Sequence, residues 1–256
     1  ARWIEAGWLA AVIVVPLFFD VWSNRVFEPD KLTLLRTLAL GIAAAAVVLW
    51  FERGMPRPTA AGVRRALATP LVGPVAALTA VYVLSSVLSR APRLSILGSY
   101  NRLQGLYTWL AYVAIFLAIV ALLRNREQVE RLVSALVVAS LPIALYAVVQ
   151  RFGLDPMPWL GDVTRRVAST MGNSIFVAAY LIMVVPVTLV RAIEALRHLE
   201  RDESQAAIFR VAGYLVLVFV QLAAIVLSQS RGPLLGLLGG LFFFLLLYAA
   251  VRGRRA

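Results

Sequence analysis

The sequence predicts an all-α protein, an integral membrane bundle of about eight transmembrane helices with both termini on the cytoplasmic side. Composition gives the first reason, because 61% of the 256 residues are hydrophobic and only 15% are charged. Soluble domains are about 45–50% apolar and about 25% charged. The second reason is a series of separate apolar runs, each close to the roughly 20 residues that cross a bilayer as a helix. Together these observations exclude a water-soluble globular protein.

The eight runs occupy residues 3–19, 32–51, 71–88, 106–123, 132–150, 175–190, 211–227 and 233–251. The first run lacks a small-residue cleavage site and is followed at once by more runs, so we expect a span and not a signal peptide. The second run carries Arg36 near its start. The eighth run begins with Pro233, whose missing N–H suits the first turn of a helix, and Ser230 or Gly232 can cap it. We expect one transmembrane domain over residues 1–256.

Orientation follows from the basic residues of the loops, which favour the cytoplasmic side. With the N-terminus inside, the fifteen inner basic residues are Arg2, Arg53, Arg57, Arg64, Arg65, Arg124, Arg126, Arg131, Arg191, Arg197, Arg201, Arg210, Arg252, Arg254 and Arg255. The nine outer ones are Arg25, Lys31, Arg90, Arg93, Arg102, Arg151, Arg165, Arg166 and Arg231. This split predicts that both termini are cytoplasmic.

Nine basic residues on the outer side is a high number, because basic loops resist translocation. We interpret some of them as binding an anionic head group at the outer membrane face. Arginine suits phosphate because its planar fork bonds two oxygens at once. The alternative is that they reach lipid phosphates or pair with the acidic residues Asp20, Glu28, Asp30, Asp155 and Asp162. Nucleic acid is not an expected partner, because the arginines are scattered between apolar runs.

Three outer segments carry the candidate phosphate-binding residues, which are Arg231, Arg102, Arg165, Arg166 and Asn173. Arg102 lies just before the fourth run, where a helix dipole favours anions; it can equally be an interface anchor. Arg165 and Arg166 precede several residues that can cap the sixth run, Asn173 among them, and simple capping is the alternative there. Arg231 lies between two apolar runs, where a charge without a partner is costly.

Other chemistry is largely excluded by the sequence. The chain has no cysteine and a single histidine, His198, which we place in a charged cytoplasmic segment. No Ser–His–Asp set can form on the outer face, and we expect neither a metal site nor a cofactor. Carboxylates are absent from the run interiors, which argues against a proton-coupled transporter. Gly232, Gly236 and Gly240 recur every four residues, a pattern typical of close helix packing and not of catalysis.

Four segments occur in the order and spacing of a known family. They read GSYNRLQGLYTWL, ALYAVVQRFGLDPMPW, RVASTMGNSIFVAAYL and LSQSRGPLLGLLGGLFFFL. The sequence resembles the O-antigen ligase and polymerase family of bacterial membrane glycosyltransferases from about residue 10 to its end. The segment WSNRVFEPDKLTLLR resembles the long versions of that family.

The resemblance implies a helical bundle in the bacterial inner (cytoplasmic) membrane, crossing it several times. It implies transfer of a glycan from an undecaprenyl-diphosphate carrier to an acceptor at the periplasmic face, without a metal. The implied partners are membrane lipid and a polyprenyl-diphosphate-linked glycan. By position, Arg231 matches the arginine of the family's SRG motif. Arg102, and Arg165 or Arg166, match its other outer arginines more loosely.

One departure from the family concerns its catalytic histidine, which lies in a large periplasmic loop after further helices. No such histidine occurs in these 256 residues, so the catalytic group is unknown and we expect the front part of a longer family protein. The alternative is a non-catalytic transmembrane subunit or scaffold of a larger membrane complex, with other membrane subunits as partners. A lipid-linked-sugar flippase or other transporter is a third hypothesis.

Overall fold

The computed structural model describes residues 1–23, 27–55, 59–159, 161–202 and 204–253. In this part of the chain the structure is helical and contains no strand, which confirms the all-α prediction. The helices are α1 Arg2–Leu17, α2 Glu28–Glu52, α3 Ala60–Leu67, α4 Val72–Val87, α5 Pro92–Leu97, α6 Leu106–Leu122, α7 Arg126–Arg151, α8 Ser174–Leu199, α9 Gln205–Leu227 and α10 Arg231–Gly253, with a 3-10 turn at Ser169–Met171.

The chain folds as two compact units, Ala1–Leu132 and Val133–Ala256. The single domain expected from the sequence stays a prediction. Four of the arginines used for orientation, Arg25, Arg57, Arg254 and Arg255, lie outside the described residues. Their sides of the membrane therefore stay predictions as well.

Four of the described helices, and not eight, are long and apolar enough to cross a membrane: α2, α7, α8 and α9. A fifth is reached if α3 and α4, which meet at 98°, count as one bent span. The other predicted runs form helices too, but α1 and α4 have 16 residues and α6 has 17. α1 ends at Leu17, and the Lys31 Nζ donates to the carbonyls of Val15 and Pro16 in its last turn at 3.0 and 2.7 Å.

The core of the first unit lies where α1 packs on α2 and α6. Ile4 and Trp8 of α1 are almost completely buried, with Ile42 of α2 and Ala118 of α6 in the same cluster. Gly7 makes the approach possible, because a Cβ there would lie 2.5 Å from the Ile42 Cγ1. In a bilayer such burial stabilises helix packing through van der Waals contact, because lipid tails are as apolar as these side chains.

Polar contacts fix the two ends of the first unit. At one end, Arg131 Nη2 lies 2.6 Å from the Glu5 Oε1, and the Gln128 Nε2 donates to the Glu5 Oε2 at 3.0 Å. These contacts join the start of α7 to the start of α1. At the other end, the Gln104 Nε2 donates to the Glu28 Oε1, so the loop before α6 meets the start of α2.

The second unit has a polar layer inside its helix packing. Gln221 of α9 is fully buried, and its Nε2 donates to the Ser140 Oγ at 2.7 Å and to the Thr188 Oγ1 at 3.0 Å. Each of these hydroxyls donates in turn to a carbonyl of its own helix. The Gln221 Oε1 has no hydrogen-bond partner among the described residues. An unpaired buried carbonyl of this kind costs about 1–3 kcal/mol.

Candidate functional site

The turn between α9 and α10 is short and tightly held. Ser228 is fully buried, and its Oγ donates to the Ile225 carbonyl at 2.6 Å and accepts the Ser230 N–H at 3.2 Å. Between the two serines, Gln229 has a φ of 49°. The left-handed conformation costs a non-glycine residue about 1–2 kcal/mol, and such residues cluster at functional sites. The turn therefore holds the start of α10 in one position.

Arg166 docks the preceding loop onto this turn. Its Nε donates to the Ser228 carbonyl at 3.2 Å, and its Nη2 lies 3.4 Å from the Ser230 Oγ as a long hydrogen bond. The backbone adds a third contact, since the Val167 N–H donates to the Leu227 carbonyl at 3.4 Å. The Arg166 side chain stays exposed. The structure thus brings Arg166 to the residue that directly precedes Arg231.

Arg231 is the first residue of α10 and is exposed. Its side chain makes no hydrogen bond or ion pair with any residue in the described ranges. The first N–H groups of a helix have no acceptor inside it, and the helix dipole adds partial positive charge there. The α9–α10 turn is therefore a positively charged corner with two arginines. We name the group Arg166, Ser230 and Arg231 the arginine corner.

Gln150 fixes the backbone that follows Arg166. It is fully buried at the end of α7, and its Oε1 accepts the N–H groups of Ala168 and Ser169 at 3.0 and 2.7 Å. Ser169, at a φ of 49°, also donates through its Oγ to the Ile143 carbonyl at 2.6 Å. These bonds hold a strained residue in place and attach the loop to α7.

Asp155 organises the first half of the same loop as a hydrogen-bond acceptor. Its Oδ2 accepts from Trp159 Nε1 at 2.7 Å, from the Tyr146 hydroxyl at 2.9 Å and from Gln150 Nε2 at 3.1 Å. Its Oδ1 accepts the Met157 N–H at 3.0 Å. Burial raises the pKa of Asp155, but the hydrogen bonds, led by that from the Met157 N–H, outweigh burial and lower the pKa overall. The carboxylate is therefore ionised at neutral pH.

A cleft of about 220 Å³ opens in this loop. It is lined by Gln150, Gly153, Asp155, Met157, Trp159, Gly161, Asp162, Val163 and Thr164. Ligand pockets for drug-sized molecules are larger, about 300–1,000 Å³. The cleft therefore suits a single small polar group with an apolar face.

The structure separates Arg165 from Arg166, which the sequence left as alternatives. The Asp162 Oδ1 accepts the N–H of Arg165 at 3.1 Å and that of Thr164 at 3.0 Å. The Thr164 hydroxyl, followed by the Arg165 N–H, lowers the pKa of Asp162. Arg165 is thus next to a carboxylate charge, whereas Arg166 contacts neutral serine groups. Of the two, Arg166 belongs to the arginine corner.

Asn173 caps α8. Its Oδ1 accepts the Ile175 N–H at 2.9 Å, as an N-cap residue does. The side chain is exposed at the helix start. A part for Asn173 in binding an anion stays a prediction.

Arg102 lies in the first unit, in a loop held by Arg36. The Arg36 side chain is 8% exposed, and its Nε donates to the Thr108 Oγ1 at 2.8 Å. Its Nη2 donates to the carbonyls of Leu97 at 2.9 Å and Leu103 at 2.5 Å. Arg102 is exposed in the turn between these two carbonyls. Arg102 therefore belongs to the first unit, whereas the other four candidates belong to the second unit. These four are Arg165, Arg166, Asn173 and Arg231.

The three glycines of α10 differ in their surroundings. A Cβ on Gly236 would contact the Ile182 Cδ1 of α8 at 3.6 Å, which is ordinary van der Waals contact. A Cβ on Gly232 or Gly240 would meet no described atom within 4 Å. Close packing at Gly232 and Gly240 therefore stays a prediction.

Sequence reasoning did not identify Gln150 and Ser228, although both fix the arginine corner. A signal exists for each, because a polar side chain at the very end of an apolar run has to find partners when it is buried. Arg36 gives the same signal inside the second run, and its partners turned out to be backbone carbonyls and a threonine.

No protein-family model, no curated protein and no solved structure matches this chain. In the described part of the chain no group of three or more His, Cys, Asp or Glu side chains could hold a metal ion. The assignment of a function therefore depends on the motifs and on the arginine corner.

Proposed function

We propose that this protein crosses the bacterial cytoplasmic membrane eight times, with both termini inside, and is an O-antigen ligase-like glycosyltransferase or the donor-binding half of one. It binds an undecaprenyl-diphosphate-linked glycan at the periplasmic face for transfer to an acceptor. The observation that carries the proposal is the arginine corner. There the Arg166 guanidinium contacts Ser228 and Ser230, directly before Arg231 at the start of α10.

The chemistry of the arginine corner matches a diphosphate. The serine contacts of Arg166 use its Nε and Nη2, so its Nη1 can donate to a phosphate oxygen. Arg231 adds a second guanidinium without a carboxylate partner in the described residues. Hydrogen bonds that involve a charged group contribute about 1.5–3 kcal/mol each. Two guanidinium groups at one helix start therefore bind a diphosphate more strongly than a single phosphate or a neutral lipid.

The contacts between helix ends support the orientation. Glu5 and Arg131 join the starts of α1 and α7, and both starts are cytoplasmic in the proposed topology. Gln104 and Glu28 join two segments that are both periplasmic in it. The arginine corner also lies on the periplasmic side, at the end of α9.

The cleft gives the proposal a place for sugar. Thr164, which lines the cleft, lies two residues before Arg166 in the same loop. The cleft combines the indole of Trp159 with the carboxylates of Asp155 and Asp162, and its volume suits one sugar residue. In the proposed complex the sugar attached to the diphosphate occupies this cleft.

Binding of undecaprenyl diphosphate to the purified protein in detergent tests the proposal. We expect Arg166→Gln and Arg231→Gln each to weaken binding about tenfold or more, since each removes at least one charged hydrogen bond. Arg210→Gln, at an exposed position near the other end of α9, is the matched control and should bind as the wild type does. Undecaprenol, which lacks the diphosphate, should bind equally to all four proteins. Wild-type affinity in both arginine variants would refute the proposed site.

A second candidate function is a non-catalytic transmembrane subunit of a larger complex. The observation that favours it is the open space beside Gly232 and Gly240 on α10, which a helix of another subunit can fill. Native mass spectrometry of the protein extracted from its own membrane distinguishes the two. A partner that is lost on Gly240→Leu supports the subunit, and a stable monomer without a partner contradicts it.

A further inference from the structure

The short helix α3 is amphipathic, and all of its residues are exposed. It begins after Thr59, whose Oγ1 accepts the Gly62 N–H at 3.1 Å. At 3.6 residues per turn, Val63 and Leu67 share one face, while Arg64 and Arg65 point to the other. No residue of α3 is buried, and Val63 and Leu67 are 49% and 48% exposed. About half of each apolar side chain is therefore left without cover by the described residues.

The angle between α3 and α4 indicates what lies on that face. The two helices meet at 98° across a break of no more than four residues, at which Leu71 has a φ of 69°. α4 is apolar and is one of the proposed membrane spans. A helix at a right angle to a span runs along the membrane surface.

Charge points to the same surface. Residues 53–65 contain four arginines and no acidic residue. Among the described residues of this segment, Arg53, Arg64 and Arg65 form no ion pair with any other described residue. Two arginines in an eight-residue helix are costly inside the hydrocarbon, so α3 does not continue the span of α4. Anionic head groups attract such a basic segment by about 1 kcal/mol per arginine, roughly fivefold each.

We propose that α3 is an interfacial helix that binds anionic phospholipid. Arg64 and Arg65 contact the head groups, while Val63 and Leu67 enter the boundary with the acyl chains. Helix α3 thereby anchors the start of α4 at the membrane surface. The inference depends on the membrane placement of α4 proposed above, and it is independent of the diphosphate site.

The absence of cysteine from the chain allows a direct test with single nitroxide labels. Val63→Cys reports on the apolar face of α3, Ala61→Cys on the face between the two arginines, and Val81→Cys on α4. Each labelled protein is reconstituted in phosphatidylcholine vesicles with or without phosphatidylglycerol. Relaxation by oxygen, which concentrates in the bilayer, is compared with relaxation by a water-soluble nickel chelate.

We expect the Val63 label to respond mainly to oxygen and the Ala61 label mainly to the nickel chelate in vesicles with phosphatidylglycerol. Arg64→Gln with Arg65→Gln should lower the ratio of oxygen to nickel relaxation at the Val63 label by about 25-fold, fivefold per arginine. Omission of phosphatidylglycerol should lower that ratio by at least as much.

Each other outcome contradicts either the inference about α3 or the membrane placement of α4. If the Val63 label is aqueous while the Val81 label is in the bilayer, the inference about α3 is wrong and the membrane placement stands. If the Val81 label is aqueous, the membrane placement itself is wrong. Bilayer exposure of both α3 labels would make α3 part of a span. Protection of the Val63 label from both reagents would show that protein, and not lipid, covers the apolar face of α3, and would contradict the inference.

Discussion

Two buried glutamines of the second unit should lose very different amounts of stability on the same substitution. Gln150 and Gln221 are both fully buried, and leucine is close to glutamine in size, so Gln→Leu leaves little cavity at either site. The two residues differ in their hydrogen bonds. Gln150 accepts two backbone N–H groups, whereas the Oε1 of Gln221 has no partner among the described residues.

The expected magnitudes follow from that difference. Gln150→Leu leaves the N–H groups of Ala168 and Ser169 without an acceptor, at about 1–3 kcal/mol each. We therefore expect a loss of about 2–6 kcal/mol. Gln221→Leu removes two hydrogen bonds from Nε2, a net loss of about 0.5–1.5 kcal/mol each, but it also removes the unpaired Oε1, a gain of about 1–3 kcal/mol. The net change at Gln221 should be within about 2 kcal/mol of zero.

The assay is reversible unfolding of the purified protein in mixed micelles, with the free energy of unfolding as the readout. Gln205→Leu, at an exposed position at the start of α9, controls for the change in composition. The reasoning would be refuted if Gln150→Leu lost no more stability than Gln205→Leu. It would also be refuted if Gln221→Leu lost as much as Gln150→Leu.

Three further predictions concern single side chains. Gly98→Ala should lower the melting temperature of the purified protein, because φ is +85° and a Cβ would lie 2.8 Å from the Leu103 Cα. Gly161→Ala is the control, because a Cβ there would meet open space, and its melting temperature should equal that of the wild type. Arg36→Lys should lose at least one charged hydrogen bond, about 1.5–3 kcal/mol, and speed amide exchange over residues 98–105; unchanged exchange would contradict the role given to Arg36. The lowered pKa of Asp155 contributes stability that is complete above the ordinary Asp pKa of about 3.9 and is lost as the pH falls through the lower folded-state value. In Asp155→Asn the melting temperature should therefore fall less steeply with decreasing pH below about pH 4 than in the wild type. An equally steep fall in both proteins would contradict this prediction.

The helices were predictable from the sequence because apolar runs have to form helices that satisfy their own backbone in a membrane. Their lengths were not. α1 ends at Leu17, where the Lys31 ammonium donates to carbonyls of the last turn, and no pattern in the run itself shows that contact. The bend before α4 depends on the left-handed conformation of Leu71, which is equally invisible in composition.

The part of the arginines in binding an anion stays a prediction, and their arrangement could not be predicted from the sequence. Arg165 and Arg166 are neighbours of the same type, and only the contacts with Asp162 and Ser228 separate them. Those contacts depend on where the loop returns to the α9–α10 turn. Gln150 sets that path through long-range bonds to the loop backbone, so the local sequence could not give it.

The central claim is that Arg166 and Arg231 bind one diphosphate together. A double-mutant cycle on undecaprenyl diphosphate binding tests it most directly, using Arg166→Gln, Arg231→Gln and the combined variant. Groups that share a ligand show coupling of about 0.5–3 kcal/mol. The account predicts that each single variant loses about tenfold or more and that the combined variant loses less than the product of the two. Binding equal to wild type in the combined variant would contradict the claim, as would two losses that multiply without coupling.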